Sequence, residues 1–255
     1  MSDLKTRTIT GVIGLIILFF VLYMGDAVLK VTLFILTSCM IWEMKRALEN
    51  LSVDVDIFTL YFTTFFMLIT LFFQIDLGVP LMIGTMLTLL KFIFDEEYHL
   101  TDMVFTIFVM VYIPYFVYHI SYLDHTPFIF LVLLIAFSTD TFAYFIGSKF
   151  GKHKYVPKIS PNKSLEGAIG GIVGCLVTVI IYSLYFHLPY SIISILLIVF
   201  ASICSQMGDL LASKIKRVSG IKDYGKLLPG HGGLMDRFDS IIPIIPLVYI
   251  LYYYL

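Results

Sequence analysis

Residues 222–240 read KDYGKLLPGHGGLMDRFDS, and nearly every polar side chain among them could handle a phosphate or a metal ion beside one. Gly230, Gly232 and Gly233, around His231, can offer successive backbone N–H groups to an anion with no side chain in the way. Lys222 and Lys226 add positive charge. Acids beside a phosphate repel it unless a hard cation such as Mg²⁺ lies between them. Asp223, Asp236 and Asp239, with Asp209 upstream, therefore point to a metal-bound polyphosphate. A lone His-Gly-Gly is a weak signal; lysines, glycines and acids together are a strong one.

Three earlier stretches carry chemistry of the same kind. In AFSTDTFAYFIGSKFGKHK (136–154), Asp140 lies inside an apolar run, where an unpaired carboxylate costs several kcal/mol, so it must face a partner, a cation or water. Helical steps place Ala136, Asp140, Tyr144 and Gly147 on one face, and the plain alternative is that Asp140 bonds a neighbouring helix. The loop that follows holds Lys152, His153, Lys154, Lys158 and Lys163, a concentration that an anionic ligand would use in full. Ser164 can cap the next helix, and Glu166 sits in the first turn, where the helix dipole favours it. Gly167, Gly170, Gly171 and Gly174 then make a surface for close helix packing. In SICSQMGDLLASKIKR, the residues Ser202, Ser205, Gln206, Asp209, Ser213 and Lys216 form one polar stripe, which lines either a helix interface or a wet cavity.

The elements that must position these groups are hydrophobic helices. The chain is 59% hydrophobic and only 14% charged, with a mean hydropathy of +0.95, far from a soluble domain. Nine apolar runs, near 8–24, 28–42, 57–73, 79–94, 103–120, 127–148, 165–186, 190–212 and 239–255, are candidates to cross the bilayer. The first follows Lys5 and Arg7 as a secretory signal would, but it lacks a small-x-small cleavage site and reads as a retained helix. With the N-terminus inside, sixteen of the seventeen Lys and Arg residues fall on the inner side, Lys30 being the exception. The expected fold is thus all-α: a polytopic membrane protein of about nine transmembrane helices, with a polar active-site cavity facing the cytoplasm in the C-terminal half. Residues 1–126 form a scaffold of spans one to five and residues 127–255 a catalytic region, the two expected to make one structural unit. Trp42 and the abundant Tyr and Phe read as an interfacial belt. Cys39, Cys175 and Cys204 read as small core residues. A net charge of -1 says nothing about nucleic acid, since no basic domain exists outside the loops, and no nucleic-acid partner is expected.

The segment from Ser213-Lys-Ile-Lys-Arg through Lys222-Asp223 to Pro229-Gly-His-Gly-Gly-Leu-Met-Asp236-Arg-Phe-Asp239 resembles the signature of phosphatidate cytidylyltransferases, also called CDP-diacylglycerol synthases. The STDTFAYFIG, SPNKSLEG and GDLLASKIKR segments resemble blocks of that family in the same order. Two departures stand out: Ala212 where an acid is frequent, and Leu165 where Trp is frequent. The resemblance implies transfer of CMP from CTP to phosphatidic acid at the cytoplasmic face of a bacterial cell membrane, with release of pyrophosphate. It implies Mg²⁺, leaves open a second metal ion or K⁺, and suggests a homodimer. Asp209, Asp236 and Asp239 would be metal ligands, with Asp140, Lys222 and His231 alongside Asp209 and Asp236 in catalysis. Lys163, Ser164, Glu166, Ser213, Lys216, Arg217, Lys226, Gly232, Gly233 and Arg237 would bind the nucleotide. A polyprenol or phytol kinase, which also uses CTP, is the nearest rival, and the HGGLMDRFD block argues against it. An ion-coupled transporter would need polar residues towards both membrane faces, whereas here charge concentrates on one side.

Overall fold

The computed structural model describes residues 3–188 and 191–254. Tyr190 and Leu255, at the ends of the last two expected runs, and the side chain of Arg7 lie outside the described residues. The described chain is helical. Its β-type pairing consists of two isolated bridges, Lys154 with Ser164 and Leu228 with Gly232. In order, the helices are α1 (Asp3–Met24), α2 (Asp26–Glu49), α3 (Ile57–Phe72), α4 (Gly78–Phe94) and α5 (Leu100–Met110), then α6 (Pro127–Phe150), α7 (Leu165–Tyr185), α8 (Ile192–Val218), α9 (Met235–Phe238) and α10 (Ile245–Tyr254).

Each apolar run expected from the sequence contains a helix. Five are long and apolar enough to cross a membrane: Asp26–Glu49, Leu100–Leu123, Pro127–Phe150, Leu165–Tyr185 and Ile192–Val218. Thr8–Met24, Ile57–Phe72, Gly78–Phe94 and Ile245–Tyr254 are shorter apolar helices. The final run is helical only from Ile245, because residues 239–244 form turns around Pro243. Proline has no N–H to give and suits a helix only in its first turn, where Pro246 sits. Pro114 has a related effect further upstream. The helix begun by α5 continues through a π-helical segment, Val111–Tyr115, before closing in a 3₁₀ turn, His119–Leu123.

Two compact units emerge, Met1–Asp124 with Ile215–Arg237, and His125–Lys214 with Phe238–Leu255. The first holds α1 to α5. Its core is aliphatic and Met-rich, with Met40, Ile41, Met44, Leu48, Leu60, Met67, Met110 and Ile113 fully enclosed. Four buried threonines in these helices donate back to their own backbone: Thr37 to the Leu33 carbonyl, Thr64 to that of Leu60, Thr70 to that of Met67 and Thr88 to that of Gly84. This satisfies these four hydroxyls without a partner from another helix.

The second unit is organised by α6 against α7. A methyl group added at Gly167 would meet the Ala143 carbonyl oxygen at 2.8 Å, and one at Gly171 would meet that of Thr139 at 2.8 Å. One at Gly174 would strike the Phe142 ring. The glycines expected to allow close packing do so, since only a missing Cβ lets the two backbones come so near.

Candidate active site

The polar stripe of α8 does two jobs within the second unit. Deep in the helix it is an interface: Ser202 is fully buried and its hydroxyl shares a 2.8 Å hydrogen bond with Thr139 of α6, and Gln206 donates to the Ala168 carbonyl of α7 at 3.2 Å. Further towards its C-terminus the stripe becomes charged. Asp209 pairs with Lys163 at 2.5 Å and accepts from the Ser213 hydroxyl at 3.3 Å. Both partners of the ion pair keep a quarter to a third of their side-chain surface accessible, at 25% and 33%. The pair is therefore reachable by a ligand. Asp140 is accessible too, and accepts a 3.3 Å hydrogen bond from the Ser240 hydroxyl. Asp239 is buried, with its Oδ1 accepting from the Ser240 N–H at 2.8 Å. Close approach of this segment to α8 requires Gly208, where a Cβ would collide with the Asp239 carbonyl oxygen.

The loop from α6 to α7 is anchored where the sequence places its cap. Ser164 accepts from the Gly167 N–H at 3.2 Å. Glu166 receives the backbone N–H of Lys152 at 3.1 Å and shares a 2.5 Å contact with His153 Nδ1. It thus holds the start of the basic loop against the helix. Lys152, Lys154 and Lys158 are exposed.

In the first unit the glycine-rich loop is built around two buried carboxylates. Asp236 Oδ1 pairs with Lys216 at 2.7 Å, and Oδ2 accepts from the N–H groups of Tyr224 at 2.8 Å and Gly233 at 2.9 Å. An ionised carboxylate offers about four lone-pair sites, so one on Oδ1 remains for another ligand. Arg217, which follows Lys216, is exposed. Arg237 folds back so that Nε and Nη2 donate to the His231 carbonyl at 2.8 and 2.6 Å. Gly230 and Gly232 adopt φ of 78° and 86°, a region that favours glycine. Thr10 of α1 donates to the Pro229 carbonyl at 2.8 Å, which ties the loop to the first helix. His231 Nδ1 is buried with no hydrogen-bond partner among the described residues, while Lys222 and Lys226 stand exposed.

The second carboxylate is one that sequence reasoning missed. Glu43, near the end of α2 and only 2% exposed, accepts the backbone N–H groups of Leu234 at 3.0 Å and Met235 at 2.9 Å. A Cβ at Gly233 would lie 2.5 Å from Glu43 Oε1, and one at Gly225 would also collide with that oxygen. These two glycines make room for the glutamate. Its signal in the sequence was slight: an acid near the end of an apolar helix, with Lys45, Arg46 and Glu49 close behind it, reads as interfacial charge.

The expected site residues therefore divide. Lys163, Asp209, Ser213, Asp140 and Asp239 belong to the second unit, with Ser164 and Glu166 shaping its loop. Lys216, Arg217, Lys222, Lys226, His231, Gly232, Gly233, Asp236 and Arg237 belong to the first. The donors are carboxylates and hydroxyls rather than thiols, which suits a hard cation.

Apolar helices long enough to span a bilayer, one of them carrying an accessible lysine–carboxylate pair, describe a membrane protein with a polar site. Comparison with known proteins is consistent with this. Residues 5–255 match the profile described as the cytidylyltransferase family. A protein named phosphatidate cytidylyltransferase from Bacillus subtilis (strain 168) is 36% identical over 267 aligned residues, covering 98% of each chain. One of the same name from Staphylococcus haemolyticus (strain JCSC1435) is 34% identical, covering 97% of this chain and 98% of its own. A Staphylococcus aureus (strain COL) protein of that name is 44% identical over 127 residues, about half of each chain at 49% and 48%. The chain belongs to the cytidylyltransferase family.

Proposed function

We propose that this protein is a phosphatidate cytidylyltransferase of phospholipid biosynthesis, transferring CMP from CTP to phosphatidic acid to give CDP-diacylglycerol and pyrophosphate. The observation that carries the reading is the accessible Lys163–Asp209 pair, with Ser213 beside it, on a chain that matches bacterial proteins of that name over almost its whole length. A phosphate oxygen of phosphatidic acid attacks the α-phosphorus of CTP in line, a new P–O bond forms, and the bond to the β-phosphate oxygen breaks. Lys163 in the second unit and Lys216, Arg217, Lys222, Lys226 and Arg237 in the first are each proposed as a cation for nucleotide phosphate, where such charges take up the negative charge that grows on a leaving pyrophosphate. Lys163 and Lys216 already face carboxylates, which fixes their ammonium groups before the substrate arrives. Asp140 is proposed as an accessory acid beside Ser240, and His231 as a shaper of the glycine-rich loop; Ser164, Glu166, Gly232 and Gly233 set loop shape around the nucleotide.

Asp209, Asp236 and Asp239 are each proposed as oxygen ligands for Mg²⁺, with a second metal ion or K⁺ left open. When bound, the metal would neutralise phosphate charge and make the pyrophosphate a better leaving group. We further propose nine spans, made by the five long helices and the four shorter apolar ones, with the polar loops facing the cytoplasm of a bacterial cell membrane. The earlier division at residue 126 is kept as a functional one, scaffold before and catalysis after, and a homodimer is the proposed assembly. The test is direct: purified protein, radiolabelled CTP, phosphatidic acid and Mg²⁺, following label into the lipid phase. Lipid-soluble label that depends on phosphatidic acid supports the reading. Its absence in folded protein, or transfer to a polyprenol instead, overturns it.

A further inference from the structure

The first unit contains a cavity of about 480 Å³, with Ser38, Trp42, Glu43, Arg46, Tyr61 and Lys226 among its lining. No step of the proposed reaction uses Ser38, Trp42, Arg46 or Tyr61. Its volume falls within the range of small-ligand sites, roughly 300–1,000 Å³. We infer that this cavity is the seat of the lipid substrate's phosphate monoester, with the lipid entering along α2; this rests on the function proposed above and adds where the lipid binds.

Charge supports that occupant. The cations of α2 are treated differently: Lys45 is engaged by both Glu49 and Asp54, whereas the Arg46 guanidinium lies over the Trp42 ring, 4.8 Å from its centroid. Among the described residues no carboxylate forms an ion pair with Arg46 or Lys226. Glu43 is the acid in the lining, and its oxygens are occupied by the Leu234 and Met235 N–H groups. Arg46 and Lys226 therefore outweigh it and leave the cavity positive. Two cations match a monoester, which carries close to two negative charges; a phosphodiester lipid carries one and a bulky substituent.

The walls suit the rest of a lipid. Trp42 and Leu227 are 51% and 57% exposed, and Phe58 and Phe62 on α3 are also accessible, so acyl chains have an apolar surface beside the cavity. Trp and Arg at the end of a spanning helix sit at headgroup depth. Glu43 also lines the cavity and holds the loop that carries Asp236, which brings the lipid phosphate next to the glycine-rich segment.

Trp42 is the single tryptophan of the chain, so its fluorescence reports on this cavity alone. The intact protein in phosphatidylcholine nanodiscs, without CTP or Mg²⁺, is titrated with phosphatidic acid. A saturable change in emission is expected, absent when phosphatidylglycerol of the same acyl composition replaces it and absent with inorganic phosphate alone. Arg46→Gln should raise the apparent Kd about tenfold, and Arg46→Lys should recover most of the loss. In turnover, Arg46→Gln should raise KM for phosphatidic acid by a similar factor and leave KM for CTP within twofold. No saturable change, or an equal response to phosphatidylglycerol or to free phosphate, overturns the assignment. So does an Arg46→Gln variant that binds as the wild type does. Because the titration contains no CTP, an inactive protein that still binds phosphatidic acid would refute the proposed reaction and not the cavity. An active protein without the fluorescence change would do the reverse.

Discussion

Replacing Glu43 by Gln removes one charge and no volume, yet it should disable the loop that carries Asp236. The carboxylate accepts two backbone N–H groups, from Leu234 at 3.0 Å and Met235 at 2.9 Å, and is only 2% exposed. A glutamine can satisfy one of them with its carbonyl oxygen, but its NH₂ group then faces the other donor. One charge-assisted hydrogen bond is lost and a buried N–H is left unpaired, together about 2–4 kcal/mol. Gly225 and Gly233 close on the carboxylate from the loop side, so the glutamine cannot shift towards the loop to recover the second bond. At about 1.4 kcal/mol per decade, the properly arranged loop becomes about thirty- to a thousandfold less populated relative to its alternatives. The core packing of α2 through Met40, Ile41, Met44 and Leu48 is untouched, so the thermal midpoint in detergent should change little. The assay is kcat/KM for CTP with radiolabel in purified, correctly inserted protein, alongside limited proteolysis of residues 222–234. A Glu43→Gln variant within threefold of wild type, with an unaltered proteolysis pattern, would refute the anchoring role.

Asp209→Asn should lower turnover by orders of magnitude, and Lys163→Gln by about ten- to a hundredfold, with both proteins inserting normally, since the pair is partly accessible and outside the packed core; wild-type rates in both would remove the pair from the site. Cysteines placed at Lys154 and Lys226, in a background lacking Cys39, Cys175 and Cys204, should react with a membrane-impermeant reagent only from the cytoplasmic side, and labelling of either in intact cells would break the proposed topology. Gly174→Leu should destabilise the α6–α7 pair by about 1–3 kcal/mol or more, because its Cβ would meet the Phe142 ring, whereas Gly14→Leu should be silent, with nothing within 4 Å of its Cβ. Equal melting temperatures for the two glycine variants would contradict the packing described for α7.

Helix content and position were legible in the sequence because a backbone surrounded by hydrocarbon must satisfy its own hydrogen bonds, so an apolar run of sufficient length has little choice but to be helical. The Ser164 cap and the glycine face of α7 were legible for the same local reason: each depends on residues within a turn or two of one another. The polar stripe of α8 was visible as a stripe, but not how it divides between Ser202 and Gln206 at a helix interface and Asp209 and Ser213 around Lys163. Periodicity fixes which side chains share a face and says nothing of what that face meets. Glu43 is the clearest case of what tertiary structure alone decided. It bonds residues 191 and 192 positions away, and no spacing along the chain indicates that Leu234 and Met235 will lack helical partners for their N–H groups. Gly233 makes the same point from the other side. Its sequence context suggests an N–H offered to an anionic ligand, and the fold instead gives that N–H to Asp236 and the missing Cβ to Glu43. Which anion a glycine-rich loop receives depends on which carboxylates the fold brings against it, a contact between distant segments that local composition does not encode.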